Sequence, residues 1–400
     1  MASWSSRAGS GQGNQEEVPA LTERKPDLLP ISVRDALEYV AHDQAITFKQ
    51  LPNTSLSGLD LKNSVWLECD LASCDFSGAD LTDAQFVSCN LAGAAFSEAK
   101  LRQTAFVSCD LTSADLAGCN LSQTQLISCA ADRLQLREAQ LDKAVMAQTG
   151  LSGADFEASR LDQSQILDCV IENVSLTSAA LTNFVLTKAD LRSVELKGVQ
   201  IDTAVFSEAN LSGKDLSGQT LERCRFSDGH FIGTSFANAT LKQSMFVSCD
   251  LSRAVLSGSR AKLSSFMTCT LDGADLSDSN LLMAGFSGSS LRAVNFTASV
   301  MWSAVLQGTN CQAARFERAD LRQADLTHAD VSAANFSVAE FFNTKFHGAE
   351  IDGTLFDGAR GKVLGTDQER RIAEVYTPKI VVLDHEAAYG SHQTPMQSTG

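Results

Sequence analysis

The sequence has no proline across most of its length. All six prolines lie near the two ends, which leaves residues 53–377 without one. Proline marks loops and helix boundaries, so a proline-free span of this length is not a string of separately looped domains. We therefore expect residues 53–377 to form one continuous architecture.

The chain also lacks an excess of positive charge and any long apolar run. Its 48 Asp and Glu against 32 Lys and Arg give a net charge of −16, whereas binding to phosphates requires surplus Lys and Arg. No apolar run approaches the ~20 residues of a membrane helix, and residues 1–15 lack the apolar core of a secretory signal. The composition predicts a cytoplasmic protein with no direct nucleic-acid binding and no membrane insertion.

Recognisable catalytic motifs are missing as well. The six histidines are scattered without a His-x-x-x-His pair, and the sequence contains no Cys-x-x-Cys, no Gly-x-x-x-x-Gly-Lys-Ser/Thr phosphate loop and no Gly-x-Ser-x-Gly elbow. These are the usual sequence signatures of metal sites, nucleotide sites and serine hydrolases. We predict that the protein is not an enzyme and has no cofactor or metal site.

A repeat of five residues fills the proline-free span. Every fifth residue from Leu56 to Phe356 is Leu, Phe, Ile, Met, Val or Trp, except at Ala131, Ala261 and Cys311, which makes 61 repeats. Two positions before each of these centres the residue is usually Ala, Ser, Thr, Cys or Val. A large and a small apolar site separated by a polar residue indicates strand alternation. Because an odd repeat keeps its phase only if each pentad ends in a corner, the chain is predicted to coil.

A longer period gives the number of pentads in each coil. The sequence Phe-Val-Ser-Cys-Asn/Asp-Leu begins at Phe86, Phe106 and Phe246, at spacings that are multiples of 20 residues. Four pentads therefore make one turn.

In-frame triplets such as Ala79-Asp80-Leu81 resemble the Ala-(Asp/Asn)-Leu-x-x motif of the pentapeptide-repeat family, over about residues 53–360. The resemblance implies an all-β fold, a right-handed quadrilateral parallel β-helix. At four pentads per turn this gives about 15 coils, and we expect short helical caps at the N- and C-termini.

The eleven cysteines fall on interior positions of the pattern. Ten occupy the small site and Cys311 occupies a centre. Cys69, Cys89, Cys109 and Cys129 are twenty residues apart, so we expect them to stack at ~4.8 Å, which is not the tetrahedral geometry of a zinc site. We predict buried, unliganded thiols, and so many free thiols favour a reducing compartment.

The segments outside the repeat differ in composition. Residues 1–18 are rich in Ser, Gly, Gln and Glu and are predicted to be a disordered arm, followed by an N-terminal cap over 19–52. A short helix is expected to begin after Ser32 in that cap.

At the other end, residues 361–385 are predicted to hold a helix from Thr366 to about Tyr376 and a strand from Lys379 to Leu383. This segment is either a cap or a dimerisation element. Residues 386–400 are predicted to be a disordered tail.

One side of the predicted coil lacks carboxylates and carries aliphatic residues at outward positions. Such a stripe is either a contact surface or a ladder of β-branched residues that stabilises a flat sheet. The candidate interface residues are Leu67, Val87, Val107, Ile127, Leu167, Val247 and Met267.

A second outward patch combines aromatic, apolar and cationic residues in one column, namely Leu282, Trp302, Arg322 and Phe342. Either the C-terminal segment folds back over this patch or the patch binds a partner, since Trp and Arg are enriched among residues that dominate binding energy.

We predict a non-catalytic protein–protein interaction scaffold that binds another protein or associates with itself, including as a homodimer. The family resemblance makes an accessory role in bacterial secretion, of the type VI kind, a plausible setting. The alternative is an acidic DNA mimic that binds a type II topoisomerase (gyrase), as some relatives do. Its candidate residues form an acidic stretch, Asp60, Asp70, Asp75, Asp80 and Asp83.

Overall fold

The structure, a computed structural model, describes residues 27–375. The arm over residues 1–18, the strand from Lys379 to Leu383 and the tail over 386–400 lie outside the described residues. Within the described part, no helix is long and apolar enough to cross a membrane.

The described chain contains two short helices and eighteen short strands. The helices are α1 (Val33–Ala41) and α2 (Gln368–Val375). The strands, in chain order, are β1 (Leu29–Pro30), β2 (Ile46–Thr47), β3 (Lys49–Gln50), β4 (Val65–Leu67), β5 (Gln85–Val87), β6 (Ala105–Val107), β7 (Gln125–Ile127), β8 (Val145–Ala147), β9 (Gln165–Leu167), β10 (Ala180–Thr182), β11 (Val185–Thr187), β12 (Gln200–Asp202), β13 (Val205–Ser207), β14 (Arg225–Ser227), β15 (Met245–Val247), β16 (Ser265–Met267), β17 (Glu340–Lys345) and β18 (Arg360–Leu364).

Successive coils pair in parallel with a register of 20 residues. Twelve strands form one sheet in the order β16-β15-β14-β13-β11-β9-β8-β7-β6-β5-β4-β2. On the other three sides the ladder consists mainly of single bridges, such as Asp60↔Asp80 and Asp70↔Asn90. Four pentads per turn, and with them the right-handed quadrilateral β-helix, are confirmed.

The rod has about 17 turns, more than the 15 expected from the sequence. The difference arises at the two ends, where chain outside the regular repeat also joins the ladder. Leu29 pairs with Lys49 before the first pentad, and Phe342 pairs with Lys362 after the last one.

The interior is filled by the centres and by the small sites. From residue 64 to residue 344 these positions are all buried except Leu196, Lys214 and Gln219. Phenylalanines in one column stack with near-parallel rings, for example Phe76 on Phe96 at 5.0 Å between ring centroids. Stacking of this kind adds to the free energy of burial by about 1 kcal/mol per pair.

The corners depend on residues in the left-handed region and on aspartate caps. The residue two positions after a centre has a positive φ, as at Asn63 (55°) and Gly78 (68°). The carboxylate just before a centre accepts a hydrogen bond from the backbone N–H two residues later, as Asp75 does from Ser77 at 2.9 Å. These carboxylates therefore recur because many corners use one as a cap.

Helix α1 lies against the N-terminal coil. Ser32 caps it by accepting a hydrogen bond from the Asp35 N–H at 3.1 Å, and Ala36 is buried. At the opposite end the last two centres, Ile351 and Phe356, are 53% and 40% exposed. Within the described residues the C-terminal coil is therefore open, and α2 lies beside it rather than over it.

All eleven cysteines are free and buried, at the positions that the repeat assigned to them. Eight of the thiols donate to backbone carbonyls of the preceding coil, as Cys74 does to the Leu51 carbonyl at 2.9 Å. Burial raises the pKa of the Cys311 thiol to about 12. A thiol with a raised pKa holds little thiolate at neutral pH, which makes it a poor nucleophile.

We predict that the native protein reacts very slowly with a thiol reagent such as dithionitrobenzoate, because its thiols are buried. All eleven should react rapidly after unfolding in guanidinium chloride, which serves as the control. Rapid reaction of most thiols in the native protein would contradict the interior assignment.

Candidate contact surfaces

The candidate interface residues lie in one straight column of the twelve-stranded sheet. Leu67 pairs with Val87, Val87 with Val107 and Val107 with Ile127. Ala147 connects this run to Leu167, and Val247 pairs with Met267 farther along the rod. We call the outward surface of this sheet the apolar face.

The outward apolar residues of the apolar face are less exposed near its N-terminal end than farther along the rod. Leu67, Val87 and Val107 are only half-buried, because each covers the side of its neighbour in the next coil. Met245 and Met267 are more open, at 38% and 44% exposure. Mutual stacking is what a sheet-stabilising ladder predicts, yet it also leaves a flat apolar strip on the outer surface.

Charge distinguishes this face from the other three sides. In the two outward columns that flank its centres, no residue is charged from Val65 to Leu167. The other sides carry cap carboxylates in these coils, for example Asp70, Asp75 and Asp80. With successive strands about 4.8 Å apart, the twelve-stranded sheet extends for roughly 50 Å.

The second candidate patch is assembled as the period predicts. The Met283 N–H donates to the Trp302 carbonyl, and the Ser303 N–H to the Arg322 carbonyl, at 2.9 Å each. The Arg322 guanidinium lies 5.5 Å from the Trp302 ring centroid, a cation–π contact.

This patch opens into a groove of about 530 Å³. Arg360 and Gly361 form part of its wall, yet Trp302 and Phe342 stay 44% and 54% exposed. Leu282 is half-buried at the far end of the column. The described C-terminal residues therefore border the patch without covering it.

The acidic stretch is spread over three sides and is partly neutralised. Lys62 and Lys100 both contact the Asp80 carboxylate, at 3.3 and 3.2 Å, and Lys62 is 3.6 Å from Asp60. Burial by itself raises the pKa of Asp80, but hydrogen bonds from Thr82 and Lys100 outweigh it and bring the pKa to about 2.

The remaining acidic residues of the stretch either cap a corner or are exposed to solvent. Asp70 accepts from the Ala72 N–H at 3.2 Å, Asp75 caps its own corner, and Asp83 is exposed at a corner with positive φ.

The structure brings together one cluster that sequence reasoning missed. His328, His347 and Glu374 place their ligand atoms within 4.8 Å of one another, the only such group of three in the part of the chain described. The Nε2 atoms of both histidines lie 3.1 and 3.0 Å from one Glu374 oxygen. The hydrogen bond from His347 lowers the pKa of Glu374, and Arg370 adds to this effect.

The direction of the hydrogen bonds shows which nitrogen of His347 carries the proton and what the cluster does. The Asp367 N–H donates to His347 Nδ1 at 3.0 Å, so His347 Nε2 carries the proton and donates to Glu374. A metal ion would need the Nε2 lone pair instead, and Arg370 already occupies the other carboxylate oxygen at 2.8 Å. The cluster therefore fixes α2 to two successive coils and does not fit a preformed metal site. The near-20 spacing of the histidines could have revealed their proximity, whereas nothing in the repeat predicts Glu374.

Solved structures that the chain is similar to include pentapeptide-repeat proteins. The first is QnrB1 (M102R, trypsin-treated), a plasmid-mediated fluoroquinolone resistance protein, with 23% identity over 46% of this chain and 90% of that chain and a TM-score of 0.34. Another is HetL, involved in heterocyst differentiation regulation in the cyanobacterium Nostoc sp. strain PCC 7120, with 18% identity over 82% and 94% of the two chains and a TM-score of 0.14. No curated protein sequence matches the chain.

Two family models match the repeat. The model described as "Pentapeptide repeat region" matches residues 59–136, 199–276 and 219–296. The model described as "Pentapeptide repeats (8 copies)" matches residues 169–207, 284–323 and 319–358. Together they cover more than half of the sequence, and the chain belongs to the pentapeptide-repeat family.

Proposed function

We propose that the rod is a non-catalytic scaffold that binds another protein, or a second copy of itself, along the apolar face. The carrying observation is the unbroken twelve-stranded sheet, whose outward columns carry no charge from Val65 to Leu167 and which holds Leu67, Val87, Val107 and Ile127 in line. A cytoplasmic setting is part of the proposal and is supported by the free thiols. An accessory role in bacterial secretion rests on the family resemblance alone.

The rigidity of the sheet favours binding. Outward side chains on a hydrogen-bonded ladder are already ordered, so binding costs little additional side-chain entropy. Each aliphatic side chain that a partner covers contributes on the order of 1 kcal/mol. Several in line are enough for a specific contact, and the flat shape suits an equally flat surface such as the same face of a second copy.

Changing Val87, Val107 and Ile127 together to Asp is expected to abolish association. Three stacked carboxylates on the apolar face repel one another and any apolar partner, while the inward sites are unchanged. Sedimentation of the purified protein measures self-association, and affinity capture from the native host measures partner binding. The matched control is Ser77→Asp, Ser97→Asp and Ala117→Asp, a stack of the same charge on another side.

Loss of a dimer or of a captured partner in the apolar-face variant alone supports the proposal. A wild type that is monomeric, together with a triple variant that keeps every partner, would show that the stripe only stabilises the sheet. Circular dichroism establishes that both variants are folded.

The second candidate function is an acidic DNA mimic that binds gyrase. It is favoured by the N-terminal coils, where residues 53–100 carry seven acids and two bases. Over residues 53–360 the net charge is only −13, or about one charge per 5 Å of rod, against one per ~1.7 Å of duplex DNA. The two bases counted in this stretch are Lys62 and Lys100, and both contact Asp80.

We predict weak or no inhibition of DNA supercoiling by gyrase. The measurement is a supercoiling assay with purified protein, and the variant with Asp70, Asp75 and Asp80 changed to Lys is the control. Potent inhibition by the wild type that this variant abolishes would reverse the order of the two candidate functions.

A further inference from the structure

The coil-to-coil ladder is interrupted near the middle of the rod. In regular coils the residue before a centre donates its N–H to a carbonyl of the preceding coil, as Ser235 does to Lys214 and Thr240 to Gln219, both at 2.8 Å. One coil earlier in the same columns, the N–H groups of Asp215 and Thr220 have no acceptor among the described residues. The N–H groups of Leu196 and Gly198 also lack the carbonyl acceptors in the next coil that residues at the same position in other coils use.

These missing bonds define a gap between two coils, with residues 194–201 on one wall and 214–221 on the other. No bridge joins 195 to 215 or 200 to 220, although both columns are bridged on either side of the gap. The other two sides stay closed at the same level, through Val205↔Arg225 and Asn210↔His230. The gap is therefore open on two adjacent sides only.

Two side chains account for its position. Lys214 and Gln219 occupy small inward sites, the only such sites between residues 64 and 344 that are not buried. Both are too long for the space that Ala or Ser fills elsewhere. The Lys214 ammonium donates to the Val194 carbonyl at 2.6 Å, and so takes the acceptor that the Asp215 N–H would use. Leu196, across the gap, is the one centre in this span that is not buried.

We propose that this gap is a hinge that joins two rigid halves of the rod. A solenoid is stabilised only by contacts between neighbouring repeats, so a coil pair without half of its ladder is the weakest connection. The sheet beneath the apolar face runs unbroken past the gap through β11, β13 and β14. The rod bends about this sheet and opens on the opposite side and on one side next to the sheet, which lets the apolar face adapt its curvature to a partner.

Distances between spin labels test the hinge directly. The first pair is Ala158→Cys with Asp278→Cys, and the second is Gln148→Cys with Thr268→Cys; all four positions are exposed corners. The first pair spans the gap on an open side and the second spans it on the apolar-face side. Each pair is six coils apart, about 29 Å. The native cysteines are buried, so the label reacts with the introduced ones.

The hinge predicts a broad distance distribution for the 158/278 pair and a narrow one for the 148/268 pair. Adding Lys214→Ala and Gln219→Ala should restore the small inward sites, close the gap and narrow the first distribution. Equally narrow distributions for both pairs in the original background would overturn the hinge, as would a broad first distribution that the double substitution leaves unchanged. Thermal unfolding of each labelled variant verifies that the rod is intact.

Discussion

Backbone hydrogen bonding between coils is the interaction on which the rest of this structure depends. Each pentad has only a few bonds to its neighbours, and they form where successive coils approach closely. Ala, Ser, Thr and Cys at the small inward sites allow this approach along almost the whole rod, and the stacked Leu and Phe centres then fill the interior. Where Lys214 and Gln219 occupy the small site, the bonds are lost while the neighbouring sides keep theirs.

The same constraint divides the outer surface into sides with different chemistry. A carboxylate or Asn amide before the centre caps many corners on the sides built mainly from single bridges and makes these sides polar, with Asp70, Asp75 and Asp80 as examples. The twelve-stranded side lacks these caps and gains aliphatic residues in their place. The surface that we propose for binding is therefore the side on which outward residues do not act as corner caps.

The period predicted a coil of four pentads per turn, because a five-residue repeat with one large and one small apolar site permits few chain paths. The resemblance to the pentapeptide-repeat family implied that this coil is a right-handed parallel β-helix. The period also predicted the columns, including Trp302 next to Arg322 and the alignment of Val87 with Val107. It underestimated the number of turns, since Leu29 and Lys362 join the ladder from outside the regular repeat.

Other features depend on residues that the period does not govern. Glu374 reaches His328 and His347 because α2 lies beside the last coils, and no repeat specifies that position. The gap could have been noticed as two long polar side chains at small sites, but the repeat pattern describes the usual residue at each position and not single departures from it. The repeat does not specify the partner of the apolar face either, because that depends on which surface is complementary to it.

Hydrogen exchange followed amide by amide tests most directly the claim that small inward sites permit the ladder. The account predicts slow exchange at Ser235 and Thr240, whose N–H groups are bonded to the preceding coil. It predicts much faster exchange at Asp215 and Thr220, in the same columns one coil earlier. Equal protection at all four amides would contradict the account, because it would mean that Lys214 and Gln219 leave the ladder intact.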